Sequence, residues 1–597
     1  MKTLPLVTSY LFLASFPLCA QQAYYVDSEK GDDAATGLRA DAAWKSLEQV
    51  NRANLQAGDT VMFRRGCVWR GQLVPKSGEP GRPVTYTAYG TGDKPVLQGS
   101  LSRSAAGDWV QVSDGIWATR PFHPRKGEPL VSDGGGRWSA YFESPAKGRH
   151  EWVEEGGEAF NRVVAEASGN SGNKIQLWGP RFKGNETCVV AAFTMRSSAP
   201  FSLSGVEALR DGSPWTCALA GTLPKGFEAG TEWKTAEAVL LPHDSSVDTA
   251  RLHLALGARL PPGAKFEFKL DGLWRGDVSQ TDYIGVDVGI LILNHGAAYG
   301  VKKWRPGDLK DALDYWYDAD GKRVYVRCDA NPAEKYASVE LALTRHIVNQ
   351  GNRHDIVYDG LAVRYGAAHG FGGGMTKRLT IRNCDVYWIG GGLQFFKADG
   401  SPVRYGNGIE FWDGAEDHLV EGNRLWEIYD AALTNQGNNE NSHQVNITYR
   451  SNVVWNCEYS FEFWNRPAGV KSHNIVFEGN TCVNAGFVWS HAQRPDPNGC
   501  HLSFYHNPSD TQGFIIRNNI FCETTDVCLR MENDWRSGLR MENNLYYTSG
   551  KPVTRWLIKN FLQTLEDHQR TTGLDATSRF AKPAFVNPEQ HDYRLKF

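Results

Sequence analysis

The sequence has no excess of positive charge. Its 64 Lys and Arg stand against 67 Asp and Glu, a net charge of −3, so a nucleic-acid partner is not expected. Its eleven cysteines include no Cys-x-x-Cys pair, which argues against a structural zinc site. No apolar run after the N-terminus is long enough to cross a bilayer. The one Gly-rich stretch, Ala368-His-Gly-Phe-Gly-Gly-Gly, precedes no helix, which speaks against a phosphate cradle. What the chain does have is aromatic side chains (20 Trp, 23 Tyr, 27 Phe) and 62 glycines, a mixture that suits β-structure and platforms for sugar rings. At 597 residues it exceeds one ordinary core, so several modules or an elongated repeat are expected.

The first residues, MKTLPLVTSYLFLASFPLCA, have a lysine, a short apolar core and a plausible cleavage site near Ala20. This reads as a signal peptide over 1–20 and predicts a secreted or periplasmic protein without membrane insertion. Leu18 is not small, so Cys19 is a poor lipoprotein cysteine. An oxidising compartment would permit disulfides among the other ten cysteines. The repeat described next reads most of them as small buried apolar groups instead.

The C-terminal half repeats itself. Short alternating strands end in Asp359, Asn383, Asn423, Asn452, Asn480, Asn519 and Asn544, at spacings of 24, 40, 29, 28, 39 and 25 residues. Each unit holds about three short strands and no helical pattern. A coiled repeat of this kind predicts an all-β fold, a right-handed parallel β-helix whose asparagines stack as a ladder. Between about Ser132 and Arg275 the strands lengthen and alternate between turns, which predicts an inserted antiparallel sandwich. The expected organisation is a cap and first rungs over 21–131, with a short amphipathic helix over 43–54. The sandwich over 132–275, the β-helix over 276–548 and a C-terminal cap over 549–597 follow.

In a β-strand, alternate residues point to opposite faces. With Ile409, Phe411, Phe461, Phe463, Leu502 and Phe504 inward, an outer face collects Glu410, Trp412, Thr434, Ser460, Glu462, Trp464, His501, Ser503, Tyr505 and Arg530. Acids beside aromatics on one face look like a sugar groove. Glu410 and Glu462 are two rungs apart, roughly 9–10 Å, near the spacing of inverting glycosidases. Asp430 enters the middle rung and would make a closer pair with either glutamate, nearer the retaining spacing. One carboxyl must keep its proton as general acid, and packing against Trp412 or Trp464 would help. The candidate catalytic residues are Asp430, Glu462 and Glu410. The candidate substrate contacts are Trp412, Trp464, Arg466, His491, Arg494, His501, Tyr505 and His369. Asp413, before Gly414, reads as a turn residue. A metal held by Asp413, Asp430 and Glu462 is the minor alternative, and no cofactor is expected.

The repeated strands and asparagine ladder resemble the pectate-lyase-like β-helix superfamily. Arg404-Tyr-Gly-Asn-Gly-Ile-Glu-Phe-Trp, Glu427-Ile-Tyr-Asp-Ala-Ala-Leu-Thr-Asn-Gln and Glu458-Tyr-Ser-Phe-Glu-Phe-Trp-Asn-Arg resemble glycoside hydrolase family 141 within it. The segment over 132–275, with Gly230-Thr-Glu-Trp-Lys and Phe266-Glu-Phe-Lys-Leu, resembles jelly-roll carbohydrate-binding modules. The first resemblance covers about 23–131 and 276–597. It implies a secreted, monomeric hydrolase of a fucose- or xylose-containing plant or algal polysaccharide, with Asp430 carried over first. Other readings stay open. A polysaccharide lyase or C5-epimerase acting on uronates would need cations such as Lys397, Arg404, Arg466 and Arg494, with Ca²⁺ as a possible cofactor of a lyase. A non-catalytic glycan binder would keep the aromatics without needing the acids.

Overall fold

The computed structural model describes residues 21–596 except 121–123, 132–134, 187, 204, 224–226, 245 and 278–283. The expected signal peptide lies outside the described residues. The chain divides into two compact units, both built mainly of β-strands. One comprises the N-terminal residues up to Ser100 with Gly289–Val301 and Glu340–Phe597. The other comprises Leu101–Val288 and Lys302–Val339. Residues 302–339 thus lie with the second unit and not with the repeat.

The first unit consists of three ladders of parallel strands. The first ladder runs through Ala23–Val26, Thr60–Arg64, Val84–Tyr89, His354–Asp359, Gly374–Arg382, the end of Ile409–Glu421, Gln444–Arg450, Lys471–Glu478, Phe514–Arg517 and Leu539–Glu542. The second includes Ala362–Gly366, Asp385–Ile389, the starts of Arg424–Gly437 and Val453–Asn465, Thr481–Ala485, Ile520–Thr524 and Leu545–Tyr547. The third includes Phe371–Gly372, the start of Ile409–Glu421, the ends of Arg424–Gly437 and Val453–Asn465, Cys500–Phe504, Val527–Met531 and Thr554–Trp556. From Val348 to Trp556 the chain visits third, first and second ladders in unvarying order, so three strands make one turn.

The inward side chains of all three ladders form one continuous core, among them Tyr358, Ile381, Val420, Tyr449, Phe477, Ile516, Phe461 and Leu529, each at most 1% exposed. Each such side chain contributes about 1.5–3 kcal/mol on burial. No turn could bury its inner side alone, so stacking supplies the core.

The corner between the first and second ladders shows why asparagine recurs. Asn423, Asn452, Asn480, Asn519 and Asn544 are buried. Each side-chain oxygen accepts the backbone N–H of the preceding turn: Cys384 to Asn423 (2.9 Å), Asn423 to Asn452 (3.0 Å), Asn452 to Asn480 (2.9 Å), Asn480 to Asn519 (2.9 Å) and Asn519 to Asn544 (3.0 Å). Each side-chain nitrogen donates to a carbonyl of that turn, as Asn452 does to Val420. Asp359 and Asn383 do not belong to this row. Asn383 holds the preceding, left-handed position (φ +53°) that Gly422 and Gly479 fill elsewhere, and Cys384 stands in the ladder slot. Two residues before each slot, charge alternates from turn to turn, and Arg382–Asp359, Arg450–Glu421 and Arg517–Glu478 pair across turns.

At the N-terminal end the helix is shorter than 43–54, covering Leu47–Arg52, with the Ser46 side chain accepting from the Gln49 N–H. Near the C-terminus the helix Leu565–Thr572 buries Leu565 and His568 and has a Thr564/Asp567 capping box. All ten cysteines after residue 20 are free thiols. Nine are buried and Cys217 is half-buried.

The second unit holds an eleven-stranded, antiparallel sheet from Arg125–Pro129 to Lys265–Asp277, around its own core of Val163, Leu177, Phe193, Leu252 and Phe266. A second antiparallel sheet joins Trp109–Ser113, Ile116–Thr119, Val301–Lys303, Asp314–Asp318 and Arg323–Arg327.

Candidate active site

The third ladder sets Glu410 opposite Thr434, Thr434 opposite Glu462, Glu462 opposite Ser503 and Ser503 opposite Arg530. The sequence expectation of stacked outward residues agrees with this column in all but one rung. Of the residues read as outward on that rung, Ser503 lies in register and His501 does not. The column is not an open face, because Glu410, Thr434, Glu462 and Ser503 are each at most 5% exposed. Loops between the ladders cover it, including the hairpin Gly392–Phe396/Pro402–Tyr405 and the segment 486–499.

Glu410 faces His369. The Asn407 N–H donates to His369 Nδ1 (2.9 Å), which leaves the ring proton on Nε2, 2.9 Å from Glu410 Oε2. His346 stacks on this ring at 4.9 Å, and burial pushes its own pKa down to about 4, so it stays neutral. Tyr405 packs edge-on against His369.

Glu462 is the most unusual acid. Trp464 Nε1 donates to its Oε1 (3.1 Å), while Oε2 is buried with no hydrogen-bond partner. Burial, reinforced by the negative charge of Asp430, holds its carboxyl well above the usual range. A carboxyl so placed holds its proton more tightly than an ordinary glutamate does. Trp412 packs edge-on to Trp464 at 5.5 Å, and Arg466, exposed, lies over the Trp464 ring at 4.1 Å.

Asp430 enters the same field from the corner before the rung. Its pKa is also raised, by burial, against the pull of Arg494. Arg494 Nη1 is 3.4 Å from Asp430 Oδ1 and donates to the Tyr429 carbonyl at 2.9 Å. Asp430 and Glu462 each raise the other's cost of ionising. With the cation beside Asp430, the first negative charge of the pair belongs on Asp430 and the retained proton on Glu462.

Arg494 and His491 belong to the covering segment 486–499, and both are drawn to Glu458. His491 Nδ1 is 2.9 Å from Glu458 Oε2, the Asn498 N–H donates to Oε1 (3.0 Å), and Arg494 Nε is 3.7 Å from Oε1. Tyr459 and Tyr505 join through their hydroxyls at 3.3 Å, and Arg530 lies over Tyr505 at 4.8 Å. Glu458, Tyr459 and Asn407 were not singled out from the sequence. Glu458 lies beyond the corner at Tyr459, across which strand alternation does not carry, so no strand pattern marks it.

One expected contact is elsewhere. His501 is fully buried, with Nδ1 3.0 Å from Ser460 Oγ and its ring near Phe521, and burial lowers its pKa to about 3. Ser460 faces the same way, because the strand bends at the corner around Tyr459 and alternation breaks there. Asp413 is a turn lock as expected, accepting from the Asn438 N–H (2.7 Å) and Ser442 Oγ (2.6 Å), so it is committed and not open to a metal. Among the described residues, Asp27, Glu29 and Cys67 bring ligand atoms together, but Arg64 already bridges the two acids.

No protein-family model matches the chain. A stretch of 81 residues, 12% of this chain, is 40% identical to a lacto-N-biosidase of Bifidobacterium longum subsp. longum. Among solved structures, a glycoside hydrolase aligns over 89% of this chain and 94% of its own at 10% identity and TM-score 0.37. A lacto-N-biosidase of glycoside hydrolase family 136 from Eubacterium ramulus aligns over 94% and 68% at 11% identity and TM-score 0.25. The chain spans 5% of the length of the curated relative it matches.

Proposed function

We propose that the chain is an exported glycoside hydrolase built on a right-handed parallel β-helix, with Glu462 as general acid and Asp430 as its ionised partner. The observation that carries this reading is the Glu462 carboxyl. It is buried, its pKa is held above the usual range by burial and by Asp430, and it has one oxygen without a partner. A structural acid would have that oxygen satisfied. An acid that must hand a proton to a departing sugar oxygen needs it free. Asp430 supplies the negative charge that an oxocarbenium-like transition state attracts. Glu410, with its His369 donor, is suited to a substrate hydroxyl, and Trp412 offers a ring face to a sugar.

The family-141 resemblance supports a fucose- or xylose-containing glycan. The local likeness to a lacto-N-biosidase adds a lacto-N-biose-bearing glycan to the substrates worth testing. A lyase reading has less support. Arg494 is spent between Asp430 and Glu458, and Arg404 is bound to the Gly391 and Gly289 carbonyls. Lys397 and Arg466, both exposed, are left for a uronate. The deciding experiment incubates the protein with xylan, a fucose-rich polysaccharide, a uronate-rich polysaccharide and a lacto-N-biose-terminated oligosaccharide. New reducing ends without unsaturated-uronide absorbance are expected from at least one. Absorbance at the unsaturated uronide would replace hydrolysis with elimination, and retention on a glycan without product would leave a binder.

A further inference from the structure

Glu458 is the acid of this cluster that the proposed reaction leaves without a task. It is 0% exposed, on the same strand as Glu462. It faces Arg494 from one side while Asp430 faces it from another. Neither approach is close: 3.7 Å from Nε to Glu458 and 3.4 Å from Nη1 to Asp430. Committed guanidinium–carboxylate pairs elsewhere in the unit are tighter, as Arg378 is to Asp355 with 2.7 and 2.8 Å. The Arg494 guanidinium is instead fixed by the Tyr429 carbonyl and by the rings of Tyr429 and Tyr459, 4.9 and 5.5 Å from its centre. Its Nε–H is buried without a hydrogen bond. One cation is therefore divided between two carboxylates and bound firmly to neither.

We propose that Glu458 is a positioning residue acting through Arg494: it shares the guanidinium, and so keeps Asp430 from being locked into a tight, inert ion pair. This rests on the reading of Asp430 as the ionised partner of Glu462. An Asp430 with a full bidentate arginine would be a poor base and a poor nucleophile, since every lone pair facing the substrate would be held back. Dividing the cation leaves Asp430 charged yet reactive. The groups that face Asp430 are Arg494 and Asp496 from the covering segment, Glu458, Tyr459 and Glu462 from the next strand, Tyr505 from the rung beyond, and His369. Of these, Glu458 is the acid that shares its cation, and the charge of Glu458 works against ionisation of Asp430.

The test is the titration of Asp430 itself, followed by carbon NMR of protein labelled at aspartate carboxyls, with the Asp430 signal identified by its loss in Asp430→Asn. Glu458→Gln keeps the shape and the acceptor for the Asn498 N–H but removes the charge. The Asp430 titration is expected to move to lower pH by about half a unit or more. Arg494→Gln is expected to move it the opposite way. Opposite shifts establish the shared cation. An Asp430 titration that stays in place in Glu458→Gln, or that moves upward, overturns it and leaves Glu458 as an anchor for the covering segment. Because the readout needs no substrate, it stands even where Asp430→Asn proves fully active. That result would remove the catalytic reading and leave the charge sharing decided on its own. Should Glu458→Gln not fold, Glu458→Asp, which draws the carboxylate back from Arg494, is read in the same way: a lower Asp430 titration supports the shared cation, and an unmoved or higher one overturns it.

Discussion

The asparagines from Asn423 to Asn544 and the side chains from Glu410 to Arg530 climb the same stack along different ladders, and each row is largely buried. The asparagine row is complete. Every side-chain oxygen and nitrogen from Asn423 to Asn519 meets a backbone group or the next asparagine at 2.9–3.1 Å. The other row is incomplete. Glu462 Oε2, Ser503 Oγ and Arg530 Nε are buried without partners. A protein that satisfies polar groups so thoroughly on one ladder has the means to do so on another. Buried polar atoms left open cost about 1–3 kcal/mol each, and the three in this column are a cost that the asparagine row does not carry.

The largest effect that would break this contrast concerns activity. Glu462→Gln and Asp430→Asn are each expected to lower the rate constant of glycan cleavage by about 10²–10⁴, the range for loss of a general acid or its partner. Asn452→Ala should leave the rate per folded molecule unchanged. Initial rates on whichever glycan of the panel yields product measure both. Full activity in both acid variants would sink the assignment.

The next effect is on stability and runs the other way. Asn452→Ala removes the acceptor for the Asn423 N–H and side-chain N–H, and the donor to the Val420 carbonyl and to Asn480. With buried groups left unpaired on two turns, a loss of roughly 2–4 kcal/mol is expected in denaturant unfolding. Asn383→Ala, at the exposed left-handed position outside the row, should cost much less. Equal losses at the two positions would show that the row is not what sets it apart.

These two asparagines also show how much the sequence revealed. The repeat was legible because each turn needs the same corner, and one residue type solves it best. Two early members were misassigned because Asp359 and Asn383 mimic the pattern one or two positions away, where a left-handed residue or a charge is required instead. In the site, alternation placed Glu410, Trp412, Glu462 and Trp464 together, since parity survives along a straight strand. It failed for Ser460 and His501, where the strand turns a corner and two successive side chains face inward. Glu458, Arg494 and His491 meet through a covering segment that returns from the next turn. That contact depends on loop path, which no periodicity encodes.

The smallest effect separates the rows by pH. Glu462 has a folded-state pKa well above its unfolded value of about 4.3. Below that unfolded value the carboxyl is protonated in both states and contributes no pH dependence. As pH rises through it, the unfolded chain releases the proton while the folded chain retains it. The unfolded state is then favoured increasingly, until the folded-state pKa is passed. Glu462→Gln abolishes this penalty without emptying the site. The variant should therefore melt close to the parent at about pH 4 and progressively above it toward pH 8. Asn452→Ala has no titrating group, so its deficit should be the same at both ends. Melting curves of the three proteins across that range decide the matter. A Glu462→Gln advantage that stays constant or shrinks toward high pH would mean that Glu462 is ionised in the folded protein, and the general-acid role would go with it.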